Sequence, residues 1–152
     1  MTAISALEEK DIGIITEIAI KAFEEDKKLY GAYPPLIDIK NRRLRFIRSA
    51  DTFVIDEDGE AVGAALVFSR GKECTLGAIF IDPEFQGRGI GSRVLILLEG
   101  EYPESRRWKL DTPYLSVKNQ RFYEKHGYVK TGEETPDPDS GFRLFLYEKR
   151  TG

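Results

Sequence analysis

The stretch CTLGAIFIDPEFQGRGIGSRVLILL, Cys74 to Leu98, decides how this chain is read. Leu76 to Ile81 is an apolar run of strand length, and Asp82 and Pro83 stop it. Gln86 to Gly91 then form a glycine-rich turn. Beyond it Ile90, Val94, Leu97 and Leu98 recur at i, i+4, i+7 and i+8, the stripe of an amphipathic helix over about Gly89 to Glu99. The order is strand, glycine turn, helix. The first N–H groups of such a helix have no helical carbonyl to bond, and together with the positive end of the helix dipole they favour a phosphate. Physics alone leaves two readings open: a phosphate cradle, or glycines required for turn geometry. The Rossmann spacing G-x-G-x-x-G fails, because Ser92 stands where the third glycine belongs, and no Walker A string is present.

The bulk numbers narrow the class. A chain of 152 residues, 41% hydrophobic and 32% charged, is expected to form one domain with a real core. No apolar run approaches the ~20 residues of a membrane span, and the start lacks a signal-peptide pattern, so a cytoplasmic protein is expected. The single cysteine, Cys74, excludes an internal disulfide and a cysteine zinc cluster, and no metal site is expected. Cys74 reads as a small hydrophobe opening a strand. A net charge of −3 argues against a nucleic-acid surface. The basic cluster Lys40, Arg42, Arg43, Arg45 and Arg48 reads as the solvated face of a helix.

Working outward, Ile4 to Leu7 suggests a short strand, and Ile12, Ile15, Ile18, Ala19 and Ala22 a helix. An aromatic, irregular segment ends at Pro34 and Pro35. A second helix is expected from Ile37 to Ala50 on an imperfect apolar face. Thr52 to Ile81 reads as a three-stranded antiparallel meander, with a hairpin turn at Asp58-Gly59 and a bulge marked by Gly63. After the glycine-turn helix come a strand over Arg106 to Asp111, a helix from Val117 to about His126 capped by Ser116 and Gly127, and two last strands with Val129, Leu144 and Leu146 inward. The expected fold is α/β (α+β): a mixed, mostly antiparallel sheet flanked by about four helices.

The second informative stretch is YLSVKNQRFYEKHGY, Tyr114 to Tyr128. Read alone, Phe122, Tyr123 and Tyr128 are aromatic packing anchors. Read with Q-x-x-G-x-G at Gln86 to Gly91, the pattern N-x-x-F-Y-E-K-x-G-Y resembles the GNAT superfamily of N-acetyltransferases. The resemblance covers Ile4 to Tyr147 in element order.

The resemblance implies an acetyl-CoA-dependent acetyl transfer to a primary amine, small or on a protein, directly within a ternary complex. In the family the central strand and its neighbour splay apart, and the pantetheine amides pair with strand backbone, here Ile79, Phe80 and Ile81. The pyrophosphate would lie on the turn N–H groups, here Gly87, Arg88, Gly89, Ile90, Gly91 and Ser92, with Gln86 of the same motif also expected to bind the cofactor. Asn119 matches a cofactor-contacting Asn, although many members place that Asn about two helical turns before the Tyr, against four residues here. Tyr123 matches the Tyr near the thioester sulfur and would protonate the leaving thiolate. Glu73, Asp111 or water would serve as base. A non-catalytic acyl-CoA-binding module is the alternative, and a monomer or a homodimer fits either.

Overall fold

The computed structural model describes residues 1–34, 37–38, 43–44 and 49–152. The strands are β1 Thr2–Ala6, β2 Ile37–Asp38, β3 Arg43–Leu44, β4 Asp51–Glu57, β5 Glu60–Arg70, β6 Glu73–Ile81, β7 Arg107–Pro113, β8 Val129–Glu134 and β9 Leu144–Arg150. The helices are α1 Ile12–Ala22, α2 Glu24–Tyr30, α3 Ile90–Glu101 and α4 Val117–Lys125. Seven strands form one sheet in the order β1-β4-β5-β6-β7-β9-β8, antiparallel except between β6 and β7.

The expected helix from Ile37 to Ala50 is corrected where residues are described. Ile37–Asp38 pairs antiparallel with Arg43–Leu44 instead. Pro34 and Pro35 and the β-branched Ile37 and Ile39 work against a helix start, and the apolar stripe was too imperfect to outweigh them. Lys40, Arg42, Arg45 and Arg48 of the basic cluster lie outside the described residues. The polar run after Phe23 is helical as α2 and closes on Gly31 at φ 79°.

The meander is as expected. Asp58 and Gly59 both have positive φ, the geometry of a two-residue hairpin turn. The β4–β5 register slips after Ile55↔Gly63, leaving Val62 as the extra residue of a bulge beside Gly63. Side-chain alternation splits the core between the two faces of the sheet. Val54, Ala64 and Phe80 lie side by side in register and pack under α1 with Ile15, Ile18 and Ala19. Ile55, Val62, Ala65 and Leu76 face α3 and α4 through Ile90, Val94, Leu98 and Tyr123. Cys74 is fully buried in this second cluster. On the last hairpin Val129 is 65% exposed, contrary to expectation, and Tyr147 fills the core instead. A strand at the sheet edge has no neighbour to cover Val129.

The feature that positions the site is the β6–β7 junction. The two strands pair in parallel only over Glu73–Thr75 and Arg107–Lys109. Beyond Thr75, β6 stays with β5 and β7 stays with β9. The β5–β6 register slips where the divergence begins, with Leu66↔Ala78 followed by Val67↔Leu76, so Gly77 is unopposed. Such a bulge bends and twists its strand. A Cβ on Gly77 would lie 2.7 Å from the Phe68 ring, so only glycine fits there without a shift.

Candidate active site

The divergence leaves the β7-facing edge of β6 from Leu76 to Ile81 without a strand partner among the described residues. An exposed β edge can pair with an extended, amide-bearing ligand. Ile79 and Ile81 are half-buried, while the Phe80 side chain is committed to the core, its ring 5.3 Å edge-on from Phe23. Ile79 and Ile81 therefore offer backbone to the gap, whereas the backbone of Phe80 is turned toward β5.

At the end of β6, Asp82 is buried and shapes the turn. Its carboxylate accepts from Glu84 N–H at 3.0 Å and from Lys21 Nζ at 2.9 Å. Burial pushes its pKa up, but these donors outweigh burial and hold it below the usual carboxylate range. Gln86 to Gly89 are exposed. Gly87 and Gly89 adopt φ of 78° and 76°, which explains glycine at both positions. Gly91 is glycine for another reason: its Cβ would meet the Phe122 ring at 3.2 Å, so it lets α4 approach α3. No side chain caps α3, whose N-cap is Gly89. Its first N–H groups are thus placed for an anion.

The charged side chains at the turn are distributed unevenly. Arg88 stacks over Phe85 at 4.9 Å and donates to the Glu84 carbonyl at 3.2 Å. Arg93 is drawn to Thr2 Oγ1 at 2.7 Å and to Glu57 at 3.6 Å. Lys118, at the start of α4, places Nζ 3.5 Å from Gln86 Oε1, while Gln86 Nε2 donates to the Ile81 carbonyl at 3.0 Å. Lys118 was not singled out from sequence, because only folding carries α4 to the mouth of the turn. Ser92 directs its hydroxyl to His126 Nε2 at 2.8 Å. Burial, then Lys125 and Lys149, lower the His126 pKa, so the imidazole stays neutral at pH 7. Asn119 is exposed on α4.

Tyr123 is 8% exposed and packs edge-on against Phe122 and Tyr128 at 5.3 and 5.7 Å. Burial, reinforced by the nearby Asp111 carboxylate, raises its phenol well above the usual range. Asp111 lies in β7 beyond the part paired with β6; burial of its carboxyl and the neighbouring Glu134 raise its pKa. Strand alternation puts Leu110 and Thr112 in the core and turns Asp111 to the other face, where the side chain keeps solvent access while its carboxyl is partly desolvated by its surroundings. Glu73 sits at the closed end of the junction. Hydrogen bonding from Arg107 (2.9 Å to Nε) and contact with Lys109 (3.3 Å) hold its pKa down, so it is a poor base.

A third group walls the open side. Tyr30, Tyr114 and Phe142 converge from α2, the β7–α4 connection and the segment leading into β9, with ring centroids 5.4–6.2 Å apart. Ser116 occupies the N-cap of α4 but caps no N–H; its hydroxyl meets the Tyr30 phenol at 2.9 Å. The Tyr30 oxygen also accepts Leu115 N–H at 3.2 Å. Asp26, one turn before Tyr30, has a pKa raised by burial and then by Glu25.

Residues 48–130 match the family model described as an acetyltransferase (GNAT) domain. The chain belongs to the GNAT acetyltransferase family. The splayed strands, the glycine turn and the uncapped helix thus lie within an acetyltransferase (GNAT) domain. Fold likeness agrees. The ribosomal-protein-S18-alanine N-acetyltransferase of Escherichia coli superposes with a TM-score of 0.72 at 19% identity, covering 99% of this chain and 94% of that one. The PaiA N-acetyltransferase of Thermoplasma acidophilum, in complex with coenzyme A, gives 0.73 at 16%, covering 99% of both chains. A GNAT acetyltransferase of Elizabethkingia anophelis with acetyl-CoA bound gives 0.69 at 15%, covering 99% and 98%. The Bacillus subtilis (strain 168) protein YrkN is 33% identical over 76 residues, which are 49% of this chain and 41% of YrkN. Among the described residues no helix is long and apolar enough to cross a membrane.

Proposed function

We propose that this GNAT domain acetylates a primary amine by direct transfer, with Asp111 as base and Tyr123 as acid. The observation that carries this reading is the unpaired β6 edge beyond its junction with β7, the strand that carries Asp111, whose carboxylate acts electrostatically on the buried Tyr123 phenol. Acetyl-CoA, bound as cosubstrate, would supply the acetyl group, and CoA would depart as the free thiol. The uncapped N-terminus of α3 would hold its pyrophosphate, and the β6 edge its pantetheine amides. The fit is good, because the first turn of α3 and the gap-facing residues Ile79 and Ile81 offer backbone N–H groups that no described side chain or strand takes.

An alkyl amine of pKa ~10 arrives protonated. Asp111 takes that proton directly or through water, and its raised pKa makes it a better base than an ordinary carboxylate. The freed lone pair then attacks the acetyl carbonyl. The N–H of Ile79 or Ile81, the two that face the gap, would donate to the carbonyl oxygen as charge gathers on it. Tyr123, held protonated by burial, gives its proton to the departing sulfur as the tetrahedral centre collapses, and the second proton leaving the nitrogen restores the phenol through water. Tyr30, Tyr114 and Phe142 with Asp26 and Asp111 suit a cationic amine on an apolar stem. A panel of polyamines, aminoglycosides, amino acids and peptide N-termini, read by free-CoA release, tests the proposal. At least one amine should be turned over; acetyl-CoA binding without turnover of any would favour the non-catalytic reading.

Lys118 should supply the positive charge for the cofactor phosphates. Lys118→Gln is expected to weaken CoA binding about tenfold, and the salt dependence of CoA affinity should flatten. Titration calorimetry at two ionic strengths measures both; unchanged affinity would place Lys118 outside the site.

A further inference from the structure

We propose that the cleft at the closed end of the β6–β7 junction binds a small anion carrying two or more negative charges, of phosphate or polycarboxylate type. The cleft encloses about 290 Å³ and is lined by Lys72, Glu73, Arg106, Arg107 and Arg150. Four cations thus face one carboxylate, in a chain whose net charge is −3. That carboxylate is already engaged, by Arg107 and by Lys109 at 3.3 Å. Arg107 has a second acidic partner in Glu148 at 3.7 Å. Among the described residues no carboxylate lies within ion-pair distance of Lys72, Arg106 or Arg150.

The placement is built into the backbone. The Lys72 carbonyl accepts the N–H groups of Arg106 at 2.7 Å and Arg107 at 3.2 Å, and Thr151 N–H donates to the Arg106 carbonyl at 3.0 Å. Three segments are thereby tied together: the β5–β6 turn, the start of β7 and the end of β9. Arg107 and Arg150 are direct cross-strand partners. Like charges at such positions repel, and a bound anion would offset that repulsion.

The cleft is separate from the acetyl-CoA turn. It opens at the first residue of β6 and the turn follows the last, so the nine-residue strand holds them on the order of 25 Å apart. A single concave cluster suits a compact anion better than a long one. A nucleic acid would need a basic stripe, and the net negative charge of the chain opposes one.

Pyrophosphate and citrate, titrated separately and followed by backbone amide NMR, test the assignment. The amides of Lys72, Arg106 and Thr151 should shift saturably with at least one of them, and the arm that saturates tells phosphate from carboxylate chemistry. In an Arg106→Gln/Arg150→Gln variant the affinity at these amides should fall about tenfold or more, while Gly87 to Ser92 still respond to CoA, which reports a folded protein. Lys72→Gln, on the exposed turn, should weaken the same response without altering a strand. Linear, non-saturating shifts, or saturation unchanged in the variants, would overturn the proposal. So would saturation of these amides by a short single-stranded oligonucleotide at a lower concentration than by either small anion.

Discussion

Replacing Tyr123 with Phe should lower kcat about 100-fold, the lower end of what a positioned general acid contributes, while leaving acetyl-CoA affinity nearly unchanged. The substitution removes one oxygen and keeps the ring that packs on Phe122 and Tyr128. Thermal unfolding should therefore stay close to that of the parent, which separates lost chemistry from lost structure. The pH profile carries a second test. The base form of Asp111 disappears as pH falls through its pKa, and that pKa is raised by burial and by Glu134. The acidic limb of kcat/KM is then expected above the range of an ordinary aspartate, and Asp111→Asn should remove that limb while slowing turnover. On the alkaline side Tyr123 is raised by burial, so it keeps its proton through the neutral range and contributes no limb there. Glu73→Gln should leave kcat unchanged, since Glu73 is tied to Arg107 and Lys109 at the closed end. A Tyr123→Phe enzyme with full turnover would remove the phenol from the mechanism.

What the sequence made legible was whatever depends on local chemistry. The strand–turn–helix at Cys74 to Leu98 combines a short apolar run, a proline stop, two glycines at positive φ and a helical stripe, and each of these acts within a few residues. The hairpin at Asp58-Gly59 and the bulge beside Gly63 were readable for the same reason. The segment after Pro35 was misread because an imperfect apolar stripe has no strong local preference, so the tertiary setting decides. Val129 illustrates the same point: alternation gives the face of a residue but not whether anything covers it.

The site divided along the same line. Glycines 87, 89 and 91 were all legible as a turn, yet only the fold shows that two serve φ and the third serves Phe122. The choice between Glu73 and Asp111 was closed to sequence, because it depends on which partners long-range pairing brings to each. Glu73 gains two cations across the β6–β7 junction, whereas Asp111 gains burial and Glu134. Ser116 had the residue type of a helix cap, but the approach of Tyr30, a contact 86 residues apart in sequence, redirects its hydroxyl. Lys118 and the Lys72–Arg106–Arg150 cluster likewise exist only once distant segments meet.

Gly63→Ala should be the most destabilising single-methyl change in the sheet, costing about 3 kcal/mol or more. A Cβ at this position would lie 2.1 Å from the Phe80 carbonyl oxygen and 3.1 Å from Ile81 Cα. Side-chain overlaps can be relieved by a rotamer change, but these atoms belong to the backbone of the paired strand. Relief requires β5 and β6 to separate at Gly63↔Ile81, next to the bulge at Val62. The Val62 carbonyl accepts Asp82 N–H at 2.7 Å, so the displacement reaches the residue that shapes the glycine turn. Stability and acetyl-CoA affinity should fall together, with Tm lower by roughly 6–12 °C for a chain of this size. Gly100→Ala supplies the opposite sign in the same assay. Gly100 lies within α3 with nothing inside 4 Å of its would-be Cβ, so alanine should stabilise by up to about 1 kcal/mol through helix propensity alone. If both variants melt with the parent, the close approach of β5 to β6 at Gly63 is wrong, and with it the account of how the end of β6 is held for the cofactor.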